Sequence, residues 1–207
     1  MPTVDDVQFD TTGWELRETT ENRVTWSNAA GDSLTKRFSP GAPKMPGLFR
    51  SQDLAAYYAE QVSNAGGAVL SVDLVHVKGT SVSRMLFKAP HSEGILGFVG
   101  SLTLAYRNFS FSIRIQAVER PGDEARAEHA MAFLKMSYPS DTDLRPLWFG
   151  ESVPAEDTTL RRCQADDDVW DIEFPEHPLS RIRKEFARLL PTLQISRDVK
   201  NSVPHNT

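Results

Sequence analysis

Cysteine is almost missing from this chain. Among 207 residues there is one, Cys163, which excludes an intrachain disulfide framework and a zinc site built from several thiolates. No stretch approaches the roughly 18 consecutive apolar residues that a membrane span needs. The first ten residues, MPTVDDVQFD, carry acids where an export signal carries basic residues and then an apolar run. The expectation is a cytoplasmic protein. There is no basic block either: 23 Lys+Arg stand against 28 Asp+Glu, a net charge of −5, so nucleic acid is not an expected partner. No internal repeat is present.

The usual chemical signatures are also lacking. The five histidines are His76, His91, His129, His177 and His205, and no two stand at i, i+4 or H-x-H spacing. No metal site is expected from them. Gly94, Gly97 and Gly100 run into a strand pattern, whereas a dinucleotide loop passes from strand to helix. They read as a twisted strand entry. Cys163 lies between Arg161-Arg162, which would lower its pKa, and Asp166 to Asp168, which oppose that, so it reads as a bystander thiol. Asp166, Asp167, Asp168, Asp171 and Glu173 lack the spacing of a calcium loop and read as a solvated acidic linker. No catalytic residue, metal or cofactor is indicated.

What is present is strong alternation. From Ile95 to Glu119, Leu102, Leu104 and Tyr106 fall on one side of one run, and Phe109, Phe111, Ile113, Ile115 and Ala117 on one side of the next. Period 2 over this length predicts two strands with one face buried. Arg107-Asn108 between them predicts a tight turn, because Asn tolerates positive φ. Shorter alternating runs predict strands at 14–19, 23–27 and 33–38, and further ones at 69–78 and 80–88 turning at Gly79. The proline-rich stretches 39–47 and 90–93 read as loops. Helical spacing predicts one helix over 51–65, stopped by Gly66-Gly67, and a second from Pro121 to about Met136 with Ala127, Ala130, Met131 and Leu134 inward.

Strands joined by short turns give a largely antiparallel sheet of six to seven strands. The fold class is α+β, with the two helices on one face and a C-terminal extension ending in a helix. A boundary is expected near Tyr138, dividing a body at 1–137 from an extension at 138–207. The extension holds 9 basic and 13 acidic residues. Its early part is irregular. Then 169–175 alternates Trp170, Ile172 and Phe174 with acids, which predicts an extended segment. Residues 178–193 read as an amphipathic helix, and the last ten residues as frayed.

Two groups of residues are candidates for function. Trp148, Phe149, Trp170, Ile172 and Phe174 are large apolar groups in an otherwise polar extension. They either cover the open sheet face or anchor a protein partner. Tyr58, His76, Arg84, Tyr106 and Arg114 could converge in a pocket between sheet and helices, which would suit a small ligand or an enzyme. The apolar face of 179–193 has two readings as well, packing on its own body or pairing with a second subunit.

The order of elements from Trp14 to Met136 carries a resemblance. An N-terminal meander, the helix FRSQDLAAYYAEQVSNAGG, a four-strand run and the closing helix PGDEARAEHAMAFLKM together resemble the PsbP-like group. That group holds the PsbP extrinsic proteins of photosystem II, a Ran-binding import factor and bacterial relatives, among them chaperones of type VI secretion effectors. The extension, with FPEHPLSRIRKEFARLL, resembles tails of uncharacterised bacterial proteins. The resemblance implies a bacterial, non-enzymatic binding, adaptor or chaperone protein, with a link to secretion in some relatives.

Overall fold

The computed structural model describes residues 2–47, 51–92, 94–154 and 156–205. A 3-10 turn at Val4–Asp6 leads into β1 (Val7–Gln8). Then come the meander β2 (Trp14–Thr20), β3 (Arg23–Asn28) and β4 (Ser33–Pro40), and the helix α1 (Ser51–Asn64). The four-strand run is β5 (Ala68–Val77), β6 (Thr80–Ser92), β7 (Ile95–Tyr106) and β8 (Phe109–Val118), closed by α2 (Ala125–Ser137). The extension contains α3 (Arg145–Phe149), 3-10 turns at Gln164–Asp166 and Asp168–Asp171, α4 (Pro178–Thr192), β9 (Gln194–Ile195) and α5 (Arg197–Lys200).

Seven strands form one antiparallel sheet in the order β2-β3-β4-β8-β7-β6-β5. The α+β class, the antiparallel sheet and the closing helix are therefore as expected. The β7–β8 hairpin turns at Arg107-Asn108, since Tyr106 pairs with Phe109. Positive φ is not what makes that turn. Among described non-glycine residues only Lys78 has it, beside Gly79 at the β5–β6 turn. The Arg107-Asn108 turn is held from outside: Arg107 N donates to Val203 O at 2.9 Å, and Gly41 N donates to Asn108 O at 2.8 Å.

Register sorts the side chains into two faces. One carries Leu34, Phe38, Leu102, Leu104, Phe111, Ile113 and Ile115, all buried. This face is covered by α4, whose Leu179, Ile182, Phe186 and Leu189 complete the main core. Gly100 is where the helix comes nearest. A Cβ there would lie 2.5 Å from both Ile182 Cγ2 and Phe186 Cζ, so the glycine permits close approach and is more than a twisted strand entry. The dimerisation reading for 179–193 loses its surface here, because that apolar face is occupied by the chain's own sheet.

The other face is covered over β5 to β7 by α1, where Leu54 packs with Ala105, Tyr58, Val72 and Leu74. The expected sharing of one face by the two helices of the body is corrected. α1 crosses one face on its way from β4 to the edge strand β5. α2 borders Lys88 and Phe98 on the α4 face, together with the extension.

Other boundaries shift. Pro90 to Ser92 belong to β6 and pair with β7 across a register shift, so the loop expected at 90–93 is absent from 90–92; Glu93 lies outside the described residues. α2 begins four residues later than expected, and its inward stripe is Arg126, Ala130 and Leu134, with Ala127 exposed. The segment 169–175 is a 3-10 turn and not an extended strand. Phe174 N donates to Trp170 O at 3.0 Å, which puts both rings on one side and leaves Ile172 facing out. Of the last ten residues, those at 198–205 are ordered and the last two lie outside the described residues: Val199 is fully buried, Pro204 bridges to Tyr106 and His205 N donates to Ala105 O. β9 pairs with β1, joining the two ends of the chain.

Candidate functional site

The tail aromatics gather where α2 meets the 3-10 turns of the extension. α2 is apolar on two sides. Ala130 and Leu134 point inward, while His129, Phe133 and Met136 follow one another at helical spacing on the outer side. Trp170 lies edge-on to His129 and Phe133, with ring centroids 5.4 and 5.8 Å apart, and Phe174 meets His129 at 5.6 Å. The indole Nε1 of Trp170 donates to Gln164 O at 3.0 Å. Trp148, Phe149 and Phe174 pack beneath, around Cys163, Ala165 and Ala130. Of the five apolar candidates, Trp148, Phe149, Trp170 and Phe174 are brought together, and Ile172 stands apart in solvent.

A buried ionic cluster holds this junction to the sheet. Arg126 is 1% exposed. Its guanidinium donates to Ala165 O (2.6 Å), Asp167 O (2.7 Å), Asp171 Oδ1 (2.9 Å) and Ser180 Oγ (2.6 Å). Lys88, buried on β6, pairs with the buried Asp166 at 2.7 Å. Arg183 of α4 pairs with Asp171 at 3.0 Å, and Arg162 with Asp167. The acidic run is thus not a solvated linker throughout. Asp166 and Asp171 are acceptors for cations that would otherwise be buried unpaired. Asp168 and Glu173 remain exposed.

Arg126 and Lys88 were invisible as site residues because charged side chains read as surface. The signal was their phase. Arg126 stands four residues before Ala130 and eight before Leu134, and Lys88 alternates in step with Val82 and Leu86. Cys163 lies inside the cluster, 3.6 Å from Lys88 Nζ. Burial pushes its thiol up to about 11, helped by the charge of Asp166, so little thiolate is present at neutral pH.

The five polar candidates do not converge. Arg84 faces α4's side of the sheet and is held by Asp73 at 3.1 Å. Tyr106 shares that face but is buried at the far end, its ring stacked on Phe109. Tyr58 reaches Ser83 on the opposite face at 3.3 Å, His76 meets Ser81 at the β5–β6 turn, and Arg114 is exposed on β8. A cleft of about 450 Å³ does open between the sheet and the extension, lined by Arg84, Arg162, Asp168 and Arg183 among others. Its three arginines are all engaged by neighbouring carboxylates. Among the described residues no group of three His, Cys, Asp or Glu could hold a metal, and no helix is long and apolar enough to cross a membrane.

His177 joins the cluster to α4. It caps that helix by accepting from Leu179 N at Nδ1 (3.2 Å) and packs edge-on against Phe98. Burial, and then the nearby charges of Arg126, Arg181, Arg183 and Lys88, lower its pKa to about 3. The folded chain therefore keeps His177 neutral while the unfolded chain protonates it near 6.5. Its contribution to stability is complete above about pH 6.5 and is lost as pH falls toward 3, at up to about 1.4 kcal/mol per pH unit. His177→Asn keeps a capping acceptor without the titration. Urea unfolding between pH 7 and 4 should show a shallower loss for that variant than for the parent; parallel curves would contradict this.

No family model matches the chain, and no curated protein does. Among solved structures, the chain is similar to the Ran-binding protein Mog1p of Saccharomyces cerevisiae, at 11% identity and a TM-score of 0.43 over 60% of this chain and 78% of that one. It is similar also to the cyanobacterial PsbP of Synechocystis sp. PCC 6803, at 10% identity and a TM-score of 0.37 over 63% and 89%. A Pseudomonas aeruginosa protein of unknown function, described as a putative regulator, matches at 13% identity and a TM-score of 0.32 over 66% and 84%.

Proposed function

We propose that the chain is a non-enzymatic protein-binding module whose docking surface is the outer side of α2 together with the Asp168–Asp171 turn. The observation that carries this is a concentration of exposed apolar side chains. Among the described residues, the large apolar ones that stand open are Leu16, Ile95, Phe133, Met136, Tyr138, Val169, Ile172 and Val203. Five of these eight belong to this single junction, with Met136 80% and Ile172 89% exposed. Single exposed apolar residues are ordinary, whereas a group of them on neighbouring elements is what a partner buries. Phe133 rests edge-on against the Trp170 ring, and Ile172 faces outward from the adjoining turn. Glu128, Asp168, Glu173 and Glu176 are exposed nearby and favour a partner with basic residues at its rim.

The test uses the full chain with Phe133→Asp and Ile172→Asp combined, and Leu16→Asp on the edge strand β2 as the control. Partners are captured from host lysate and the interaction is then measured with the purified partner. The double variant is expected to weaken binding by at least about 30-fold, as loss of a hot spot worth about 2 kcal/mol would. The control should bind as the parent does. A partner held equally by parent and double variant would overturn the assignment of this surface.

A further inference from the structure

The half of the sheet that α1 leaves open carries a separate feature, independent of the α2 surface. Register places Arg37 opposite Ser112 of β8 on one side and opposite Arg23 of β3 on the other, while Arg114 lies opposite Thr35. Arg37 and Arg114 are thus diagonal neighbours on one face, with Cα atoms about 7–8 Å apart. Both are exposed. On this face β4, β7 and β8 present Ser, Thr, Gln and small apolar residues and no carboxylate. The acids of the edge strand, Glu15 and Glu18, are engaged by Arg17 and Arg23 at 2.8 Å each. Among the described residues neither Arg37 nor Arg114 has an ion-pair partner.

Like charges held side by side on a sheet destabilise it. A chain of net charge −5 has acids enough to neutralise them, yet the two on this face, Glu15 and Glu18, pair with Arg17 and Arg23 instead. Two guanidiniums at this spacing can close on one tetrahedral dianion, and charge-assisted contacts of that kind are among the strongest polar ones. Beside the pair, reached from Ser112 through its partner Thr103, a cleft of about 320 Å³ is lined by Tyr57, Tyr58, Thr103 and Ser110. It can take the side chain that carries the anion.

We infer that this face binds a phosphomonoester borne on a side chain of a partner polypeptide. Two cations match the charge of about −2 on one such group. A nucleic acid would need a longer track of cations than this face has.

The experiment uses the intact chain and immobilised degenerate peptide libraries with a fixed central phosphoserine or phosphotyrosine, against the same libraries unphosphorylated. At least tenfold greater retention on one of the phosphorylated libraries is expected. Arg37→Gln and Arg114→Gln should each reduce retention about tenfold, the effect of removing one charge-assisted contact. Arg197→Gln in α5, on another part of the molecule, should not. Both test variants should unfold at or above the parent's temperature, because repulsion is relieved, so that lost binding cannot be ascribed to misfolding. Equal retention with and without phosphate, or retention unaffected by both substitutions, would overturn the inference. So would inorganic phosphate or a single-stranded oligonucleotide binding as tightly as the phosphopeptides. None of these outcomes depends on Phe133 or Ile172, so this site can fail while the α2 surface stands, and the reverse.

Discussion

Arg126→Ala is expected to lower the stability of the entire chain by about 3–5 kcal/mol, the usual cost of removing one member of a buried charge cluster. The side chain contacts four groups from the extension and α4: two carbonyls, the Asp171 carboxylate and the Ser180 hydroxyl. Truncation removes one donor from each of these buried or half-buried acceptors, and each loss has its own desolvation cost. Arg183 still pairs with Asp171 at 3.0 Å, which keeps the loss at that carboxylate from being complete. Lysine is not a substitute. It offers one compact ammonium where a planar fork reaches four acceptors in different directions. Arg126→Lys should therefore recover less than half of the loss. For a chain of this length the alanine variant should melt on the order of 10 °C lower. A change below about 1 kcal/mol in urea unfolding would show that the cluster decorates the junction without holding it.

Much of this architecture could be read from spacing. The β7–β8 hairpin, β4 of the meander and α1 emerged from period-2 and period-3.6 patterns, since each buries one face, whereas β2 alternates with no buried residue. Parity also held information about the polar candidates. Tyr106 is in phase with Leu102 and Leu104, whereas Arg114 is in phase with Ser110 and Ser112. Those two could not share a pocket. The alternation of Trp170, Ile172 and Phe174 misled for a physical reason: rings at i and i+4 also meet across one turn of helical backbone, so three residues do not separate the two periods. What spacing does not contain is destination. The apolar face of 179–193 was evident, but whether it met its own sheet or another subunit depended on Gly100, 82 residues earlier, leaving room for Ile182 and Phe186. The tail aromatics were recognisable as groups needing burial, yet their meeting with α2 rests on Arg126 and Lys88, charges hidden among apolar neighbours.

The second large effect follows from α4. A chain ending at Met136 loses Leu179, Ile182, Phe186, Leu189, Leu193, Ile195 and Val199 from the main core. At about 1.5–3 kcal/mol for each buried side chain, that loss matches or exceeds the roughly 5–15 kcal/mol by which a typical domain is stable. It also strips β1 of its partner β9, and leaves Lys88 buried without Asp166. The extension is accordingly a structural part of the body, and the proposed docking surface exists only when both are present. Loss of a partner on such truncation would report unfolding, which is why point substitutions at Phe133 and Ile172 are needed to test binding itself.

Hydrogen exchange on the chain ending at Met136, compared with the full chain, addresses this most directly. The backbone amides of β7 and β8 are the reporters, because they form the centre of the sheet and pair along their whole length. Loss of their protection to the level of an unfolded chain is the predicted result. Protection equal to that of the full chain would contradict it, and would make the extension an appendage to a body that folds alone.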